Sequence, residues 1–285
     1  MFATSLGMRW TRGYRSDHVD DRRAEGPARG IGGLGGGVPL GSIFAIAARW
    51  GWKGILVAVV IVGALFYGGD LCSGGGAPAP STTTSSERRA APAPAEQDDL
   101  ASFVSYVLDD VQATFGREAK GYEPARLTLF RGSVASACGT ATSAVGPFYC
   151  PVDRKAYIDL DFYAQLRDRF GAPGDFAQAY VIAHELGHHL QNLRGALGRG
   201  EVNQIETELQ ADCLAGAWAK DAEKRQLLEV GDLDEALNAA AQIGDDTLQR
   251  KSQGYVQPET WTHGSAKQRA AAFRRGHEGG ISACD

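Results

Sequence analysis

The chain has 285 residues, 44% apolar and 22% charged, with a formal net charge of −5. That mix is too apolar for a wholly disordered chain, and the length allows one large domain or two ordinary ones. Residues 1–53 hold eight Lys/Arg against four acids, leaving 21 basic and 30 acidic residues in the remainder, a net of −9 that argues against nucleic acid as a partner.

In chain order, residues 1–42 are rich in Gly and Arg and end in a glycine tract at 30–37, so they offer little to a core. Residues 1–50 therefore read as a flexible basic segment. Gly54 to Gly69 is a 16-residue uncharged, largely apolar run. As a helix it spans about 24 Å, slightly short of a ~30 Å hydrocarbon core. Trp50 and Trp52 extend it as an interfacial belt, with Arg49 and Lys53 placed to snorkel. A cleaved signal peptide is the alternative, but no small-x-small pattern directly follows Phe66-Tyr67. The expectation is one uncleaved transmembrane helix over 51–69 in the cytoplasmic membrane. The positive-inside rule keeps its N-terminus inside and puts the rest on the extracytoplasmic side. Residues 70–97, rich in Gly, Pro, Ser and Thr, read as a linker, and the folded domain is expected over 98–285.

Within that domain, apolar residues from Leu100 to Phe115 recur at helical spacing and predict an amphipathic helix over 99–116. Residues 126–131 read as a short strand. Cys138 and Cys150 bracket a Gly/Ser/Ala-rich loop, and in an exported domain cysteines this close read as a disulfide. Cys213 and Cys284 form a second pair or stay apart, with Cys72 the natural remainder among five. Ile158, Leu160 and Phe162 alternate with polar positions, which predicts a half-buried strand over 155–163.

The next segment carries the chemistry. His184-Glu185-Leu186-Gly187-His188 is an H-E-x-x-H motif inside an apolar run, expected to be helical from about 175 to 194. Positions i and i+4 project from one helix face, so His184 and His188 can both ligate one zinc ion. Glu185 then stands beside the open coordination position, where a carboxylate can take a proton from water that the metal has acidified. Twenty residues after His188 comes Glu208-Leu209-Gln210-Ala211-Asp212. Glu208 supplies a third ligand, and Asp212, one turn on, orients a ligand histidine, His184 by preference. An exposed acidic face is the bland alternative for Glu208. Against it, the segment turns apolar and small from Ala211 to Trp218, and a charge entering such a helix is usually paired. His189 points about 100° from the ligand face and reads as structural.

Asp232-Leu233-Asp234-Glu235 and Ser265-Ala266-Lys267-Gln268 read as capping boxes opening helices through Ala241 and Arg275. His263 precedes the second, where it can face the cleft as an oxyanion donor or simply brace the turn.

The pairing of H-E-x-x-H with E-x-x-x-D at this distance resembles the gluzincin branch of zinc metallopeptidases. More closely, the chain resembles the bacterial neutral zinc metallopeptidases, a membrane-anchored family. Matching stretches include Met8-Arg9-Trp10, Asp20-Asp21-Arg22-Arg23, Gly146 to Pro151, His184 to His189, Glu208 to Gly216 and Trp261 to Ser265 with Gln268-Arg269. The resemblance implies an α+β, zincin-like domain hydrolysing peptide or protein substrates with bound Zn2+. It also implies that the strand before the zinc helix is an edge that pairs with extended substrate. A zinc-stabilised scaffolding protein of the envelope and a zinc hydrolase of non-peptide amides are the rivals. Glu185 disfavours the first, because a structural site needs no base.

Overall fold

The computed structural model describes residues 7–25, 94–197 and 203–285; the expected transmembrane run, the glycine tract and most of the linker lie outside the described residues. The first described element is a strand, β1 (Val19–Asp21), and it changes the expected domain boundary. β1 pairs in parallel with β2 (Arg126–Phe130), register Val19 to Leu127 and Asp21 to Leu129. Residues 7–25 thus belong to the same compact unit as the chain from Pro94 onward, against the expectation of a separate flexible segment. The pairing is reinforced along its length. Met8 is buried, Trp10 meets Phe103 edge-on, and Asp109 accepts from Tyr14 and Ser16 at 2.9 and 2.7 Å.

Helix α1 (Pro94–Glu118) begins inside the expected linker. A proline at the first helical position loses no hydrogen bond, so Pro94 starts the helix where its composition suggested a spacer. After β2 come a two-stranded antiparallel hairpin, β3 (Ser133–Ser136) with β4 (Gly139–Thr142), then β5 (Phe148–Cys150) and β6 (Lys155–Asp159). The main sheet has the order β1-β2-β6-β5, with β5 alone antiparallel to its neighbour. Nearly every residue of β2 and β6 is buried, the pattern of strands covered on both faces.

Two expectations about this region are corrected. The strand ends at Asp159 rather than 163, because Phe162 and Tyr163 turn into a short helix, α2 (Asp161–Asp168), and bury their rings from there. Nor is β6 an edge: it lies between β2 and β5, and β5 is the edge strand on that side. The apolar alternation of Ile158, Leu160 and Phe162 fits both a strand and the entry to a buried helix turn, so periodicity alone could not separate them.

Helix α3 (Asp175–Leu193) packs against α1, α4 (Gln204–Lys224), α5 (Asp232–Gln242) and strands β5 and β6. Helices α6 (Asp245–Gln253) and α7 (Ala266–Gly279) complete the chain. Close approaches set the spacing of the helical layer. A Cβ on Gly187 would lie 3.1 Å from the Ala211 backbone, and one on Gly276 only 1.8 Å from the Cys213 carbonyl, so α3, α4 and α7 meet backbone to backbone. The Ser265–Gln268 capping box forms as expected. The Asp232 box does not: Gly231 is the cap, Asp232 accepts from the Glu229 amide, and Glu235 reaches across to the Phe176 amide at the start of α3. Tertiary demand at the start of α3, which has no side-chain cap of its own, outcompeted a local cap. Both cysteine pairs are joined, Cys138–Cys150 and Cys213–Cys284, the second tying α4 to the C-terminus. Among the described residues no helix is long and apolar enough to cross a membrane.

Candidate active site

His184 and His188 leave the same face of α3, and α4 crosses it so that Glu208 faces both. Glu208 Oε2 lies 3.2 Å from His184 Nε2, and Oε1 lies 3.6 Å from His188 Nε2. One ligand atom from each of the three falls within 4.8 Å of the others. Each imidazole is held by its other nitrogen. His184 Nδ1 donates to Asp212 Oδ1 at 2.9 Å, and His188 Nδ1 donates to Gln191 Oε1 at 2.8 Å. Gln191 cannot turn its amide, since its nitrogen donates to Thr207 O and Gln210 Oε1 at 2.7 and 2.9 Å. Both tautomers therefore leave Nε2 free to ligate. Two neutral imidazoles and a carboxylate match the protein donor set of a catalytic zinc site.

Electrostatics supports the same assignment. Burial disfavours charge on Glu208, yet the two histidines outweigh it and hold the carboxyl well below its usual range. Burial likewise opposes a proton on His184, but Asp212 and Glu208 prevail and raise its pKa to about 10. Three groups that bind a proton so firmly between them form a strong cation site; a metal ion offers them the same compensation without the proton. Glu185 differs. Burial pushes its pKa up, and its Oε2 is buried without a hydrogen-bond partner. The fold leaves this carboxylate oxygen orphaned beside the three groups that could hold a metal ion.

Asp212 belongs to a network that its sequence position did not reveal. It is fully buried, and Arg269 of α7 binds both its oxygens at 2.8 and 2.9 Å, while the Tyr180 hydroxyl donates to it at 2.5 Å. Burial opposes the charge on Asp212, but Arg269 and His184 overcome it and lower the pKa to about 2. Tyr180 precedes His184 by one helical turn on the same face, and Gln191 follows His188 by three residues. Helical spacing alone could have flagged both. Arg269 stood in the Gln268-Arg269 match to the family, but its pairing with Asp212, 57 residues away, had no local signal.

His189 is structural, with its Nδ1 3.0 Å from the Tyr149 hydroxyl and its Nε2 donating to Glu123 O at 2.7 Å. His263 is not among the ligands. Its Nδ1 lies 3.2 Å from Asp245, whose other oxygen accepts the amides of Thr262, His263 and Gly264. A Cβ on the neighbouring Gly264 would lie 3.3 Å from Ile205 and 3.5 Å from Leu209. The His263 loop therefore rests on the turn of α4 that carries Glu208. Cys138 and Cys150 stand away from the ligands, tying the tip of the β3–β4 hairpin to β5.

Comparison with known proteins agrees with this geometry. A family described as "putative neutral zinc metallopeptidase" matches residues 8–285. The uncharacterized protein YpfJ of Escherichia coli is 40% identical over 289 residues, covering 96% of both chains. An uncharacterized protein of Mycobacterium tuberculosis is 44% identical over 196 residues, 62% of this chain and 67% of its own. No solved structure matches. With the family match spanning nearly the whole chain and the His184–His188–Glu208 cluster at its centre, the chain belongs to this neutral zinc metallopeptidase family.

Proposed function

We propose that the protein is a zinc-dependent peptidase that hydrolyses peptide bonds, with His184, His188 and Glu208 as metal ligands and Glu185 as general base. Zinc, when bound, supplies a Lewis acid that acidifies a water molecule and polarises the scissile carbonyl. The observation that carries the reading is the contrast within the site. The ligand imidazoles are each locked by a second hydrogen bond, while Glu185 Oε2 has no partner. A purely structural metal site has no use for an unpaired buried carboxylate.

Glu185 takes a proton from the attacking water and delivers it to the leaving amine; its raised pKa makes it a stronger base for the first transfer. Asp212 keeps His184 in the ligating tautomer, and Arg269 keeps Asp212 charged and in place. His263, aligned by Asp245, is the candidate donor to the developing oxyanion. Strand β5, an edge flanking α3, offers backbone groups to an extended substrate, the role first expected of residues 155–163. Its link to α3 is direct, since Asn192 donates to the Tyr149 hydroxyl and to Pro151 O at 2.9 and 3.1 Å.

The test compares zinc content and cleavage of an unstructured protein by the full chain and by Glu185→Gln. One zinc in each, with turnover reduced 10²–10⁴-fold only in the variant, is expected. Equal activity in the two removes the base assignment, and zinc bound with no activity in either returns the scaffolding reading.

A further inference from the structure

Residues 7–25 precede the long apolar run at 54–69, and residues 94–285 follow it. A single crossing by that run would leave the two segments in different compartments. Yet they share one fold. Three consecutive residues of β1 pair with β2, and the bonding continues on both sides of the strand: Leu127 N donates to His18 O at 2.9 Å and Arg22 N to Leu129 O at 2.8 Å. Arg9 N donates to Leu227 O at 2.7 Å, and Met8 N donates to Asp175 Oδ1 at 3.2 Å, at the first residue of the zinc helix. Arg23 donates to Gln97 O at 2.9 Å and to Asp98 at 3.1 Å. These contacts touch β2, α1, α3 and the segment before α5, and so are spread over the domain.

We infer that residues 7–25 and residues 94–285 stand on the same side of the membrane. A strand cannot pair across a bilayer, and β2 without β1 would present an open edge of backbone donors and acceptors beside Leu127 and Leu129. Two joined cysteine pairs add the compartment, because disulfides persist on the oxidising side. The positive-inside expectation for residues 1–50 therefore gives way to the sheet. The active site and the N-terminal segment are both extracytoplasmic. This inference does not depend on the metal chemistry.

The experiment is thiol labelling of the full chain in intact cells, with Cys72→Ser removing the unpaired cysteine. Thr11→Cys and Glu259→Cys, both at exposed positions, are compared with a membrane-impermeant maleimide before and after permeabilisation. Ala24→Cys and Ser252→Cys, also exposed, provide a second pair if either first variant fails to accumulate. The expected result is that both members of a pair label in intact cells. Labelling of one member with protection of the other overturns the inference. Protection of both until permeabilisation keeps the shared side but overturns its extracytoplasmic placement.

Discussion

Asp212 Oδ1 lies 2.9 Å from Nδ1 of His184, and the same carboxylate is gripped through both oxygens by Arg269. A single buried charge thus links the zinc helix, the helix of the third ligand and the last helix of the chain. Removing it should damage metal binding and stability together. Asp212→Asn is expected to weaken zinc binding 10–100-fold and, by leaving Arg269 buried without a counter-charge, to cost about 3–5 kcal/mol. Zinc titration by competition with a chelator and urea unfolding of the same sample measure both. A loss of affinity without loss of stability would mean that Arg269 finds another partner.

Glu208 and Glu206 separate the ligand from its bland alternative. Glu206 is the exposed-side acid in the first turn of α4, and Glu208 is the one facing the imidazoles. Glu208→Ala should lose most of the zinc, and Glu206→Ala should retain it. Metal analysis after dialysis decides, and the reverse order would exchange the ligand. Because protons compete for the same donors, zinc affinity should also fall steadily as pH drops below 7.

Asp175 makes a prediction about stability and pH. Burial, then the nearby Asp232 charge, pushes its pKa up to about 6 from the ordinary 3.8. The folded chain therefore holds this proton more tightly than the unfolded chain. The contribution of Asp175 to stability falls as pH rises between about 4 and 6 and stays flat above. Asp175→Asn, which keeps an acceptor for the Met8 amide, should gain about 1 kcal/mol at pH 7 after allowance for solvent screening, and nothing at pH 3.5. Denaturant unfolding at the two pH values tests it; an equal effect at both would assign the change to packing.

The two disulfides should differ in weight. Cys138–Cys150 closes 12 residues and Cys213–Cys284 closes 71. The loop-entropy model gives about 3 and about 4.5 kcal/mol. Cys213→Ala paired with Cys284→Ala is expected to lower the melting temperature more than the corresponding change at Cys138 and Cys150. The longer link also holds the C-terminus where Gln210 donates to Cys284 O at 2.9 Å, while the Gln210 carbonyl accepts from the Gln191 amide that holds His188.

How much was legible beforehand follows from the range of each interaction. The helix carrying His184, Glu185 and His188, its rough limits, and the companion acids Glu208 and Asp212 were all readable, because helical periodicity and short motifs are local. So was the structural role of His189, which follows from an angle around one helix. What only the tertiary structure decided was every pairing between distant segments. β1 draws residues 7–25 into the sheet, β6 is enclosed and β5 left at the edge, and Arg269 meets Asp212 across 57 residues. The failed cap at Asp232 has the same origin: Glu235 turns to the Phe176 amide because α3 has unsatisfied donors there. Local spacing determines which side chains share a face. Which face meets which depends on burial and hydrogen-bond satisfaction summed over the folded chain, and no window of sequence contains that sum.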